Sequence, residues 1–172
     1  ISNWINNKEK NTKSNEFFSK VNPANGNQLF LVARSKNEDV QKAIDSALKA
    51  QKPWANTPAV QRGLILHSIV LQMIENKEEL SKIIHLETGK STKDALGEIN
   101  AAIECGIFYS SEGQRLYAKT TTSGVENKFS STIRQPVGIA GLIIAANTPI
   151  ANIAWKVFPA LICGNTAILK SS

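Results

Sequence analysis

Asn147 is the polar residue whose setting carries most chemical information, standing between two apolar runs in IIAANTPIANIAWKVFPALICGNTAILKSS, residues 143–172. Val137 to Ile144 is a continuous apolar stretch with two glycines, the pattern of a strand covered on both faces. Thr148 and Pro149 are placed to cap and start a helix that runs through Trp155 and Leu161, Gly164 to end it, and Thr166 to Leu169 to form a second buried strand. In such a β-α-β unit ligands bind beyond the carboxyl ends of the strands. Asn147 falls at that end of the first strand, where its amide offers two N–H donors beside the positive end of a helix, an arrangement suited to a developing oxyanion. Asn also turns a chain well, and the residues alone leave both roles open. Lys170 falls at the matching end of the second strand. It could donate to a ribose hydroxyl or a phosphate oxygen, or simply extend its ammonium to solvent.

Other reactive side chains are less well placed. Cys105 and Cys163 sit in apolar settings with no His close in sequence to lower a thiol pKa, so both read as buried neutral thiols. His67 and His85 lie within helical patterns and read as packed or half-exposed residues. A G-x-G-x-x-G fingerprint is missing: Gly138 and Gly141 lie inside the strand, where they serve close backbone approach or helix packing. If the unit binds a nucleotide, it does so through a different loop.

The elements that must hold these residues are mostly helices. VNPANGNQLFLVARS reads as a peripheral hairpin around a Pro-Ala-Asn-Gly turn, within an extended leader over residues 1–36. Ser35 to Glu38 has capping-box spacing, and Val40, Ala43, Ile44, Ala47 and Leu48 predict a helix over about 36–51. Thr57 and Pro58 start a second helix, apolar nearly all round and therefore expected to be substantially buried. Asn76 with Glu79 opens a third, stopped at Thr88 and Gly89, and Ser91 with Asp94 opens a fourth that reaches about Tyr117. In KTTTSGVENKFSSTIRQP the helical period disappears. Phe129 to Arg134 is β-prone but too polar for a central strand, so it reads as an exposed arm or edge strand in need of a partner.

Bulk properties narrow the class. With 172 residues, 42% hydrophobic and 20% charged, the composition is that of a folded chain with a real core. The net charge of +6 invites a nucleic-acid reading, but the lysines are scattered singly, the densest group being Lys8, Lys10 and Lys13, and acidic residues are interleaved from Glu38 to Glu112. No nucleic-acid partner is expected. No run approaches the roughly 18 apolar residues of a membrane span, so no membrane association is expected, and two cysteines without framework or metal spacing fit a reducing cytoplasm. The first residue is Ile1 and the last run stops at Ser172, which reads as a piece of a longer protein.

PVGIAGLIIAANTPIANIAWKVFPALICGNTAILKSS closely resembles the aldehyde dehydrogenase superfamily, whose members carry a run P-x-G-V-x-G-x-I-x-P-W-N-F-P, then A-W-K-x-x-P-A-L-x-x-G-N, then a strand ending L-K-P-S. Earlier stretches are similar too: the N-P-x-T-G opening, the E-D-V helix, the P-W segment leading to an Arg, and HLETGKSTKDALGEI against E-x-G-K-x-x-x-E-A-x-x-E. The similarity runs from residue 21 to 172. It implies an α/β fold, the N-terminal part of a Rossmann-like cofactor domain formed by residues 1–120 and 137–172, with residues 121–136 as an arm strand pairing with a neighbouring subunit of a homo-oligomer, dimer or tetramer.

By that resemblance Asn147 is the catalytic asparagine that, with a backbone amide, holds the oxyanion of a thiohemiacetal and of the later thioester intermediate. Lys170 matches the lysine that hydrogen-bonds the adenosine ribose of NAD or NADP, and Ile144, Ala145 and Ala146 match strand-end positions lining that half of the cofactor. The implied activity is oxidation of an aldehyde to a carboxylic acid with NAD(P)+. The nucleophilic cysteine, the general-base glutamate and the catalytic domain are implied to lie outside these residues, so the chain alone is expected to be inactive. The alternative is a non-catalytic, truncated nucleotide-binding or structural module. Ala145, Ala146 and Thr148 stand where relatives commonly carry Pro, Trp and Phe, which implies a wider substrate approach, and Ser171 replaces a proline.

Overall fold

The computed structural model describes residues 1–12 and 14–172, which leaves Lys13 of the lysine group outside the described residues. Two antiparallel hairpins come first. β1 (Asn3–Ile5) pairs with β2 (Lys8–Lys10) through Asn6 and Asn7, whose φ of 55° and 57° give the left-handed pair that a two-residue hairpin needs. The leader was expected to be extended and broken by turns; two consecutive Asn in this conformation make its first turn a hairpin. β3 (Phe17–Val21) pairs with β4 (Gln28–Ala33) as expected, the turn being closed by the Gly26 N–H donating to the Asn22 carbonyl at 2.8 Å.

Helix α1 (Asn37–Asn56) begins one residue later than the Ser35 spacing implied. The Asp39 carboxylate accepts from the Lys36 N–H at 3.2 Å, while the Ser35 hydroxyl is turned to Asn3 Oδ1 at 2.8 Å. At its far end α1 continues through Pro53, five residues past the expected stop. Tertiary bonds hold that last turn: Trp54 Nε1 donates to the Leu161 carbonyl at 3.0 Å, and the Arg62 guanidinium takes the Ala55 and Thr57 carbonyls. Thr57 therefore ends α1, and Pro58 rather than Thr57 precedes α2 (Ala59–Glu75).

Within these residues α2 is not substantially buried as expected. Leu66 and Val70 are fully buried, but Leu64 is 57% and Ile65 48% exposed, because the stripe through Arg62, Gly63, Leu66 and Val70 is what meets the other described elements. Ile65 and Ile69 instead line, with Val40, Ala47 and Ile168, an open groove of 1310 Å³. α3 (Lys77–Thr88) stops at Gly89, φ 74°, as expected. Its Asn76 does not cap by side chain; the amide donates back to the Gln72 carbonyl at 2.8 Å. α4 (Thr92–Ser111) is capped by Ser91, whose Oγ accepts from the Asp94 N–H at 3.1 Å. It gives way at Glu112 to a single 3₁₀ turn instead of reaching Tyr117, where Gly113 passes close against the Ala59 carbonyl.

α4 is the centre of the core, with Ile99, Ala102 and Ile103 packed among Leu66 and Val70 of α2, Ile84 of α3, and Ala154, Phe158 and Ile162 of α5 (Pro149–Ile162). The α2–α4 approach depends on glycine, since a Cβ on Gly63 would stand 2.3 Å from the Ser110 carbonyl oxygen, a backbone atom that cannot turn aside. Gly63→Ala is expected to cost about 1–3 kcal/mol by overpacking. Gly97→Ala, on α4 with nothing within 4 Å of the added methyl, is expected to be neutral or to stabilise by about 0.5–1 kcal/mol. Thermal melting of both variants in the full-length protein checks the contrast.

A hairpin of β5 (Thr120–Thr122) and β6 (Phe129–Ser131), exposed along both strands, separates the helices from the β-α-β unit. The polar segment is thus two strands paired with each other, not one lone strand. β7 (Ile139–Ile143) then runs parallel to β8 (Thr166–Lys170), Gly141 beside Ile168 and Ile143 beside Lys170, with α5 between them in sequence. Gln51 ties α1 to this pair, its Oε1 accepting from the Thr166 N–H at 2.8 Å and its Nε2 donating to the Gly164 carbonyl at 3.1 Å. Within these residues the 137–144 run is covered unevenly, Ile144 being buried while Val137 is 99% and Ile143 69% exposed, rather than covered on both faces as expected. Among the described residues no helix is long and apolar enough to cross a membrane.

Candidate active site at the ends of β7 and β8

The two strand ends are stitched together by one bond past the regular ladder, the Ile144 N–H donating to the Lys170 carbonyl at 3.1 Å. Ile144 is buried, at 4% exposure, whereas Ala145, Ala146 and Asn147 bend outward and are exposed. Thr148 does not cap α5 with its hydroxyl, as its position had implied; that oxygen accepts from Asn152 Nδ2 at 2.8 Å.

The cap comes from Glu98 of α4. Its Oε1 accepts from the N–H groups of Ile150 at 2.8 Å and Ala151 at 3.3 Å, the first donors that α5 possesses after Pro149. Its other oxygen, Oε2, lies 2.6 Å from Lys90 Nζ, and the same ammonium donates to the Asn147 carbonyl at 2.7 Å. The Glu98 side chain is 3% and that of Lys90 19% exposed, so the pair is largely removed from water. Just before Lys90, the His85 ring Nδ1 lies 2.7 Å from the Lys90 carbonyl and braces the turn after α3.

This geometry corrects the electrostatic expectation for the site. The positive end of α5 is offset by Glu98 and its leading N–H groups are taken, so it is not an open anion site. The Asn147 side-chain amide is exposed and has no hydrogen-bond partner among the described residues. Lys170 is exposed and its ammonium makes no ion pair among the described residues, which leaves it free for an oxygen-rich ligand. Lys170 and the exposed Ala145-Ala146-Asn147 edge thus stand on adjoining strand ends with little steric bulk between them and solvent.

The structure brings Ile144, Ala145, Ala146, Asn147 and Lys170 together and keeps the cysteines apart from them. Cys163 follows the C-terminal end of α5 and is exposed rather than buried. The 14 residues of that helix separate it from Asn147 by roughly 20 Å at the usual rise. Cys105 packs half-buried beside the core, where desolvation pushes its thiol pKa up, away from the thiolate. His67 and His85 are both exposed. Sequence reasoning missed Lys90 and Glu98. The available signal was a glutamate on the apolar side of α4, in phase with Ala95, Ile99 and Ala102, since a buried carboxylate must have partners.

The sequence matches the aldehyde dehydrogenase family over residues 9–172. It is 36% identical over 169 residues to an alpha-ketoglutarate semialdehyde dehydrogenase of Haloferax volcanii, covering 98% of this chain and 35% of the relative. To a malonate-semialdehyde dehydrogenase of Halalkalibacterium halodurans it is 36% identical over 151 residues, 88% of this chain and 31% of the relative. The fold superimposes on an NADP-dependent enzyme of E. coli with a TM-score of 0.97 at 32% identity, over 99% of this chain and 36% of that one. A 3,6-anhydro-L-galactose dehydrogenase in complex with NAP gives 0.94 at 26% identity, over 98% and 35%. The chain belongs to the aldehyde dehydrogenase family, and its α/β fold is the N-terminal part of that fold. It spans about a third of the length of the curated relatives it matches.

Proposed function

We propose that these residues serve an NAD(P)-dependent aldehyde dehydrogenase that oxidises an aldehyde to a carboxylic acid. Residues 1–120 and 137–172 form part of the cofactor domain, residues 121–136, which hold most of the β5–β6 hairpin, are the arm through which copies of the subunit associate, and the catalytic domain lies outside these residues. The observation that carries the reading is the unpartnered Asn147 amide on an outward bend at the ends of parallel strands, beside a free Lys170.

In the reaction a cysteine thiolate from the remainder of the enzyme attacks the aldehyde carbon. As the C–S bond forms, the carbonyl π electrons move onto oxygen, and the Asn147 Nδ2–H donates to that oxyanion. The same donor serves when water, deprotonated by a glutamate outside these residues, adds to the thioester and the thiolate leaves. The backbone edge at Ile144, Ala145 and Ala146 and the ammonium of Lys170 hold the adenosine half of the cofactor. When bound, the nicotinamide supplies the two-electron acceptor for oxidation of the aldehyde carbon. The names of the relatives make semialdehydes the first substrates to assay. Two free cysteines fit a cytoplasmic enzyme.

The reading is tested by following reduced-cofactor absorbance in the full-length enzyme with semialdehydes under NAD+ and NADP+. Lys170→Ala is expected to raise cofactor Kd about tenfold or more, the worth of one charged hydrogen bond, with kcat at saturating cofactor little changed. No reduced cofactor with any aldehyde overturns the enzyme reading, and an unaltered Kd removes Lys170 from the cofactor site.

A further inference from the structure

Asn147 carries its donor on a segment with little hydrogen bonding of its own. Among the described residues, no protein group bonds the peptide N–H or C=O groups of Ala145 or Ala146, and the Asn147 peptide has one partner, Lys90 Nζ on its carbonyl at 2.7 Å. Lys90 is in turn fixed by Glu98, whose second oxygen holds the start of α5 through Ile150 and Ala151. One ion pair therefore grips the chain on both sides of Thr148 and Pro149. A pinned carbonyl restrains the peptide plane following Asn147, and with it the base from which Cβ and the side chain leave the backbone.

We propose that Lys90 is a positioning residue for Asn147: braced by the buried Glu98 carboxylate, it aims the Asn147 amide at the reacting carbonyl. This rests on Asn147 being the oxyanion donor. An oxyanion donor must stand within hydrogen-bond reach of the oxygen it stabilises, and small misplacements are costly in rate while leaving substrate and cofactor contacts elsewhere intact. Lys90 thus acts on kcat through Asn147 and on nothing else in the reaction.

The experiment is a cycle in the full-length enzyme with Lys90→Met, Asn147→Ala and the double variant, each measured for kcat, both KM values and melting temperature. Lys90→Met is expected to lower kcat about 10-fold to 10²-fold, to leave both KM values near wild type, and to have no further effect once Asn147 is Ala. Lys90→Arg, which can still donate to a carboxylate and a carbonyl together, is expected to restore most of the rate. Should Lys90→Met fail to fold, Glu98→Gln takes its place. It keeps an acceptor for Ile150 and Ala151 but loosens the hold on Lys90, and wild-type kcat in that variant overturns the proposal. An Asn147→Ala enzyme that is slow, with Lys90→Met costing the same factor in both backgrounds, overturns the positioning role alone. Asn147→Ala with wild-type kcat overturns the oxyanion reading beneath it.

Discussion

Asn147→Ala in the full-length enzyme is expected to lower kcat by about 10² to 10³, or roughly 2.7–4 kcal/mol, the usual worth of one oxyanion donor. Cofactor Kd should hardly change. The structure sharpens the contrast with a merely structural asparagine, because the side-chain amide makes no hydrogen bond to the described residues and the bend is restrained through the backbone carbonyl, which alanine retains. Truncation therefore removes no side-chain hydrogen bond to the described residues, and the melting temperature should stay where it was. A turn-shaping role predicts the reverse, an early melt with near-normal turnover per folded molecule. Measuring kcat, cofactor Kd and melting on one preparation decides between them, and normal turnover would remove Asn147 from the chemistry.

Arg62→Ala is expected to destabilise the protein by about 3 kcal/mol without touching turnover per folded molecule. Arg62 is 7% exposed, and its guanidinium serves the ends of two helices at once: Nε donates to the Ile162 carbonyl of α5 at 3.1 Å, and Nη1 to the Thr57 carbonyl after α1 and the Ala55 carbonyl within it. Desolvation lowers its pKa from the ordinary Arg value, a pull that the nearby Cys163 opposes. Alanine would leave buried carbonyls without donors and a gap beside Gly164, whose backbone lies against the guanidinium. Arg62→Lys should rescue little, since a single ammonium lacks the fork that reaches both helix ends. Arg62 sits at the opposite end of α5 from Asn147, so kcat should survive. A variant that melts with the wild type would show that these carbonyls are satisfied some other way.

Several features set by a few neighbouring residues were settled by the sequence. The turn at Asn22 to Asn27, the Ser91 cap, the stop at Gly89 and the alternation of strand, helix and strand from Ile139 to Lys170 are all legible in the chain, because each depends on a side chain bonding its own backbone or on a steric limit at one residue. Asn147 and Lys170 were legible as strand-end residues because an apolar run stops just before each, and the parallel pairing of Ile143 with Lys170 sets those ends side by side.

What the tertiary structure decided are the features that depend on distant partners. The run of α1 through Pro53 rests on Trp54 and Arg62 meeting groups up to 107 residues away, and local propensity cannot report such bonds. The one-sided exposure of α2 follows from which elements reach it, a matter that its own periodicity does not record. At the site, the sequence pointed to Thr148 as the cap of α5 and to the helix end as an open positive pole. Folding instead delivered Glu98 from 52 residues earlier, and with it Lys90. A buried carboxylate and a buried helix terminus each carry a desolvation cost that the other relieves, and the chain brings them together only when α4 and α5 pack. The sequence thus placed Asn147 at the strand end, and the packing of α4 against α5 decided which group holds its backbone carbonyl.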